Sequence, residues 1–198
     1  MTKNNMPKYT TYILYFVYVY SAIYFLEKKE VGNVGISIVC LLGTSILYIV
    51  NKKYKNLVDK NLYIVLILFI LFSSLLGTCY RFYDIISNYD DFLHVWSGFI
   101  SVSVAFSLLN FFNKQEVYKM SKFFIVIFLF VFSMGVASLW EIIEFLVDEF
   151  LGMNTQVGGL TDTVVDMIDA LIGSIIIIPF IITNKLKNKY DYNEEIEK

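Results

Sequence analysis

Apolar residues in this chain come in long, nearly unbroken runs, separated by short stretches rich in lysine, asparagine, aspartate and glycine. The runs are about 17 to 25 residues long, the length a helix needs to cross the hydrocarbon core of a bilayer. They predict spans at about 9–26, 34–50, 62–80, 92–112, 123–147 and 164–183. The expected fold class is all-α: a polytopic membrane helix bundle of about six transmembrane helices. The first run follows a short basic stretch, but no small-residue cleavage site comes after it. Tyr12, Tyr15, Tyr18 and Tyr20 also interrupt it, so it reads as a retained first helix and not a secretory signal.

Composition agrees with that pattern. The 198 residues are 57% hydrophobic and 17% charged, whereas a soluble domain carries about a quarter charged residues. The basic residues set the orientation. With both termini in the cytoplasm, only Lys28, Lys29 and Arg81 of the 16 basic residues fall outside, as the positive-inside rule requires. The cytoplasmic lysines are thereby accounted for, and nothing else in the chain supports nucleic-acid binding.

No linker or internal repeat divides the sequence, which reads as a single integral membrane domain over 1–184 with a polar cytoplasmic tail over 185–198. Cys40 lies within the second span and Cys79 near the outer end of the third. Isolated cysteines in membrane helices are small packing residues, so neither a disulfide nor thiol chemistry is expected. No zinc spacing occurs.

Charge is distributed unevenly among the spans. The first three are nearly free of it, whereas the last three contain Asp90-Asp91-x-x-His94, Trp140-Glu141-x-x-Glu144 and Asp162-x-x-x-Asp166-x-x-Asp169. Ionisable side chains are costly in hydrocarbon and mark functional sites there. The up-down topology places all three motifs at one level of the outer leaflet. Helical spacing puts Asp91, His94 and Gly98 on one face; Glu141, Glu144 and Asp148 on another; and Asp162, Asp166, Asp169 and Gly173 in one stripe. Gly98 and Gly173 continue two of these faces inward, where small residues let helices approach closely.

Simpler roles account for some of these residues. Asp91 and Asp162 stand where a helix N-cap would, so capping explains them as well as a functional role does. Asp90, Asp84 and Glu149 read as solvated loop acids, and Trp140 as a structural residue of the interfacial aromatic belt. Glu141 and Glu144 resist such readings, because the dipole at a helix C-terminal end disfavours negative charge. Asp166 and Asp169 lie beyond the reach of free N-terminal amides. His94, with acids three and four residues before it, reads as an imidazole oriented by a carboxylate.

The charge balance then sets a choice. Against Asp91, Glu141, Glu144, Asp162, Asp166 and Asp169 stand only His94 and Arg81. Either several carboxylates are protonated, or a bound cation neutralises them. An oxygen-rich set with one imidazole suits Mg²⁺, Mn²⁺, Ca²⁺ or iron. These six carboxylates are the candidate metal ligands, and His94 and Glu141 the candidate catalytic groups.

Asp91-x-x-His94-x-x-x-Gly98, Trp140-Glu141-x-x-Glu144 and Asp162-Thr163-x-x-Asp166 followed by Gly173 together resemble the YjdF-like bacterial inner-membrane proteins, a family of unknown function. The similarity runs from the second helix onward. It implies a multi-pass protein of the bacterial cytoplasmic membrane and supplies no catalytic activity to carry over. A looser likeness, in the order Asp/His, Glu, Asp-before-Gly, is to the VanZ-like membrane proteins associated with glycopeptide-antibiotic tolerance, whose glutamine and arginine signals are missing here. Gly158-x-x-x-Asp162-x-x-x-Asp166 matches the closing part of the CDP-alcohol phosphotransferase motif, but the upstream Asp-Gly and Ala-Arg elements are absent. A lone histidine excludes the lipid-phosphatase pattern, and rhomboid and intramembrane aspartyl protease motifs do not occur.

Three classes of function remain. The first is a metal-dependent enzyme acting on an outer-leaflet lipid or lipid-linked phosphate. The second is a cation- or proton-coupled transporter. The third is a non-enzymatic envelope protein whose polar cluster fixes helix packing or binds a partner.

Overall fold

The computed structural model describes residues 6–54, 57–114 and 116–186. From residue 187, the expected polar tail lies outside the described residues. Six long helices follow the hydrophobic pattern: α1 (Met6–Glu27), α2 (Val31–Lys53), α3 (Lys60–Ile70), α4 (Tyr89–Phe112), α5 (Lys122–Leu151) and α6 (Leu160–Phe180). A wider π-helical stretch, Leu71–Cys79, continues α3, and another, Ile181–Leu186, continues α6. No strand occurs among the described residues. All six helices are long and apolar enough to cross a membrane, so the protein is an all-α, multi-pass membrane protein. Large apolar side chains such as Phe16, Ile23, Val39, Phe123 and Ile176 stand exposed along them, which suits contact with lipid.

The helices outrun the predicted spans, and the difference matters at three ends. α4 begins at Tyr89, α5 continues to Leu151 and α6 begins at Leu160. Hydropathy detects only the apolar middle of a helix, whereas backbone hydrogen bonding continues into its polar ends. As a result, every acid singled out from the sequence between Asp90 and Asp169 is helical.

The chain divides into two compact units, Met1–Tyr89 and Asp90–Lys198. In the first, α1, α2 and α3 pack around Leu14, Tyr18, Phe25, Cys40, Tyr63, Ile67 and Leu75. Asp59 caps α3, accepting from the amides of Asn61 and Leu62 at 2.9 Å each. Hydroxyl pairs tie helices together: Thr11 with Tyr63 at 2.7 Å and Ser21 with Tyr80 at 3.1 Å. Such pairs contribute about 0.6 kcal/mol each in membrane proteins. Within the π-helical stretch, the carbonyl of Phe72 accepts from the Tyr89 hydroxyl at 2.9 Å. Cys40 and Cys79 are both buried free thiols.

In the second unit, α4, α5 and α6 run alternately up and down. One end is apolar, built by Val102, Ala105, Phe106, Val117, Ile125, Leu129, Ile178 and Ile181. The opposite ends bear the acids. Between them, α4 and α6 touch backbone to backbone: a Cβ on Gly98 would strike the Ala170 carbonyl oxygen, and one on Gly173 the Val95 carbonyl oxygen. Beside this contact, Ser174 donates to the Ala170 carbonyl at 2.7 Å, and Ser133 of α5 lies 2.7 Å from the Ser174 hydroxyl.

Because those neighbours are backbone atoms, neither glycine can gain a methyl group without parting the helices. Gly98→Ala should destabilise the protein by about 1–3 kcal/mol, read as a lower unfolding temperature in detergent. Gly135→Ala, whose added Cβ meets nothing within 4 Å, should be neutral or slightly stabilising.

Candidate functional site

The first turns of α4 supply the imidazole. Asp90 and Asp91 occupy its first turn, where the helix dipole favours negative charge. Four residues on, His94 returns on the same face, with Nε2 3.4 Å from Asp90 Oδ1. From α6, Asp166 Oδ1 approaches the same nitrogen at 3.8 Å. His94 is buried, so its nitrogen faces carboxylates instead of water.

α5 brings two glutamates to this level. Glu141 is buried and Glu144 half-buried, and the exposed Trp140 donates its indole N–H to Glu144 Oε1 at 2.9 Å. The loop after α5 folds back on it. Gly152 closes the helix in a left-handed conformation at φ 64°. Asp148 then accepts from the Thr155 amide at 2.7 Å, the Thr155 hydroxyl at 2.7 Å and the Gln156 amide at 2.9 Å. This holds the Gln156 side chain over the site. Its amide donates to Thr163 Oγ1 at 2.8 Å and reaches the Glu141 carbonyl at 3.3 Å and Glu141 Oε2 at 3.5 Å.

α6 provides the residue on which these groups converge. Three sets of side chains each bring ligand atoms within 4.8 Å of one another: Asp90, His94 and Asp166; Asp91, Asp166 and Asp169; Glu141, Glu144 and Asp166. Asp166 belongs to all three. It is 2% exposed, and its Oδ2, like that of Asp169, is buried without a hydrogen-bond partner. Among the described residues, His94 is the one basic group within ion-pair distance of these acids. Arg81, the other cation weighed from the sequence, pairs with Asp84 at 2.8 Å. Oxygen donors with one imidazole form a set suited to a hard divalent cation.

Residues 9–186 match the family described as predicted membrane protein (DUF2238). The chain belongs to the DUF2238 family. This is the YjdF-like family that the motifs resemble. The DUF2238 chain is also 31% identical over 154 residues to an uncharacterized protein of Thermotoga maritima, a match covering 75% of each chain. No solved structure matches it significantly.

Of the candidate ligands, the structure gathers Asp91, Glu141, Glu144, Asp166 and Asp169 into these sets. Asp162 is in none of them; it lies half-buried in the first turn of α6, one turn before Asp166. Its N-cap reading changes too, since Gly159 holds that position, and Asp91 is likewise inside α4. Asp90, read as a solvated loop acid, is a helical partner of His94; its i, i+4 spacing was the available signal. Gln156 and Asp148 act through a loop, and no spacing rule announces such contacts. Gly98 and Gly173 form the close backbone contact on the inner side of the cluster.

Asp148 accounts for the order of this loop. Asp148→Asn exchanges a carboxylate that accepts three hydrogen bonds for an amide with one oxygen, so the Thr155 and Gln156 amides should exchange hydrogen several times faster. Hydrogen-exchange mass spectrometry over 152–159 measures this, with the α4 amides unchanged.

Proposed function

We propose that this protein binds divalent cations in the α4–α6 cluster, at the outer face of the bacterial cytoplasmic membrane, and uses them on a lipid or lipid-linked phosphate. The observation that supports it most is Asp166, buried and shared by three ligand sets, with no lysine or arginine among the described residues to balance the acids around it. Ionised carboxylates gathered in a low-dielectric site need a counter-charge, and a bound cation would supply one and polarise phosphoryl oxygens. The lysine distribution, which leaves few basic residues on that side, supports the outward orientation.

In such a reaction His94 and Glu141 handle protons. Water attacks phosphorus and passes a proton to Glu141. The phosphorus–oxygen bond to the lipid breaks, and protonated His94, aligned by Asp90, gives a proton to the leaving oxygen. Gln156 holds Glu141 in place. The end position of the cluster favours a substrate whose phosphate lies at the membrane interface and whose chains remain in lipid. The apolar packing at the opposite end, around Phe106, Ile125 and Leu129, disfavours a through-path for ions.

A cation- or proton-coupled transporter is the second reading. The unpartnered Oδ2 atoms of Asp166 and Asp169 favour it, since a protonated carboxyl is cheaper to bury than a charged one.

The decisive assay is phosphate release from lipid phosphates in mixed micelles with Mg²⁺ or Mn²⁺. Release should stop with EDTA and return with added Mn²⁺. His94→Gln should lower the rate by about 10²–10⁴-fold while cation binding persists. Absence of release, together with labelling of cysteines at positions 107, 133 and 174 from the cytoplasmic side, would instead establish the transporter reading.

A further inference from the structure

Fully ionised, the cluster would hold more negative charge than one divalent ion can balance. The three ligand sets contain six carboxylates, from Asp90, Asp91, Glu141, Glu144, Asp166 and Asp169, and one imidazole. A single divalent ion would leave four of those charges to His94 alone. The sets also differ in direction. Asp91 and Asp169 reach Asp166 from α4 and α6, whereas Glu141 and Glu144 reach it from α5. Neither pair contributes a ligand to the other's set, and the residue they share is Asp166.

Asp166 has the chemistry a bridge needs. Its side chain is buried, its Oδ2 has no hydrogen-bond partner, and its Oδ1 lies 3.8 Å from His94 Nε2. A carboxylate has a lone pair for an ion on each oxygen, and bridged ions lie about 3.5–4 Å apart. Asp169 Oδ2 is also buried without a partner, on the side of the Asp91 pair.

We infer that Asp166 bridges two divalent cations, one completed by Asp91 and Asp169 and the other by Glu141 and Glu144. This rests on the proposed cation binding and deepens it from one ion to a pair. His94, aligned by Asp90, then stands beside the pair as the proton donor, and neither residue is needed to hold an ion. A paired site would take a phosphate monoester or diester group, two of whose non-bridging oxygens can each meet one ion.

Manganese alone tests this, with no substrate. The full-length protein in detergent is stripped with chelator, loaded with Mn²⁺, desalted, and measured for bound manganese and by electron paramagnetic resonance. The wild type should hold about two Mn²⁺ per chain, with the broadened multiline spectrum of an exchange-coupled pair. Asp169→Asn and Glu144→Gln should each hold about one, with the six-line spectrum of an isolated ion, and His94→Gln should keep the coupled pair. One Mn²⁺ per wild-type chain, or two without coupling, would overturn the bridge while leaving cation binding intact. No retained Mn²⁺ in the wild type would overturn both. The wild-type count and spectrum decide the matter even where a variant fails to fold.

Discussion

Carboxylates crowded into one end of a three-helix unit are the constraint to which the rest of this structure answers. A charge in a membrane-spanning segment is tolerated only where it faces protein or water and finds a partner. Here α4, α5 and α6 turn their acidic faces toward one another, with Asp166 where the three ligand sets meet. The sole histidine of the chain is placed against them, and a protonated imidazole would balance one of their charges. What neutralises the remainder determines what the site can do.

Several features of the second unit serve that convergence. The contact of Gly98 with Ala170 and of Gly173 with Val95 draws α4 against α6, just inward of the turns that bear His94 and Asp166. A bulkier pair there would separate the imidazole from the carboxylate. The Ser133–Ser174 pair links α5 to α6 at the same depth. Farther along, side chains from Val102 to Ile181 close the unit with apolar packing. The loop from Gly152 to Gly159, fastened by Asp148, completes the site by setting Gln156 against Glu141 and Thr163. The candidate site and the packing of the unit thus draw on the same helices at different depths.

Much of this was legible in the sequence, for physical reasons that also explain what was not. Spans of apolar residues identify the six helices because the bilayer demands them. Spacing alone aligns Asp91 with His94, Glu141 with Glu144, and Asp166 with Asp169, because these pairs lie on single helices. Helix ends were less legible: apolar length does not report where hydrogen bonding stops, so Asp90 read as a loop residue and Asp91 and Asp162 as caps. Asp162 follows the same stripe as Asp166 but lies one turn farther out, and a stripe does not say how deep the neighbouring helices reach. Gln156 was invisible because its role depends on a loop folded back by Asp148.

Metal content of the detergent-purified protein, set beside a Glu144→Gln/Asp166→Asn double variant, most directly shows what balances the cluster. Bound Mg²⁺, Mn²⁺, Ca²⁺ or iron in the wild type, lost from the variant, is the expected result. A wild type as free of metal as the variant after careful supplementation would contradict a cation site and assign the missing charge to protons on the carboxylates.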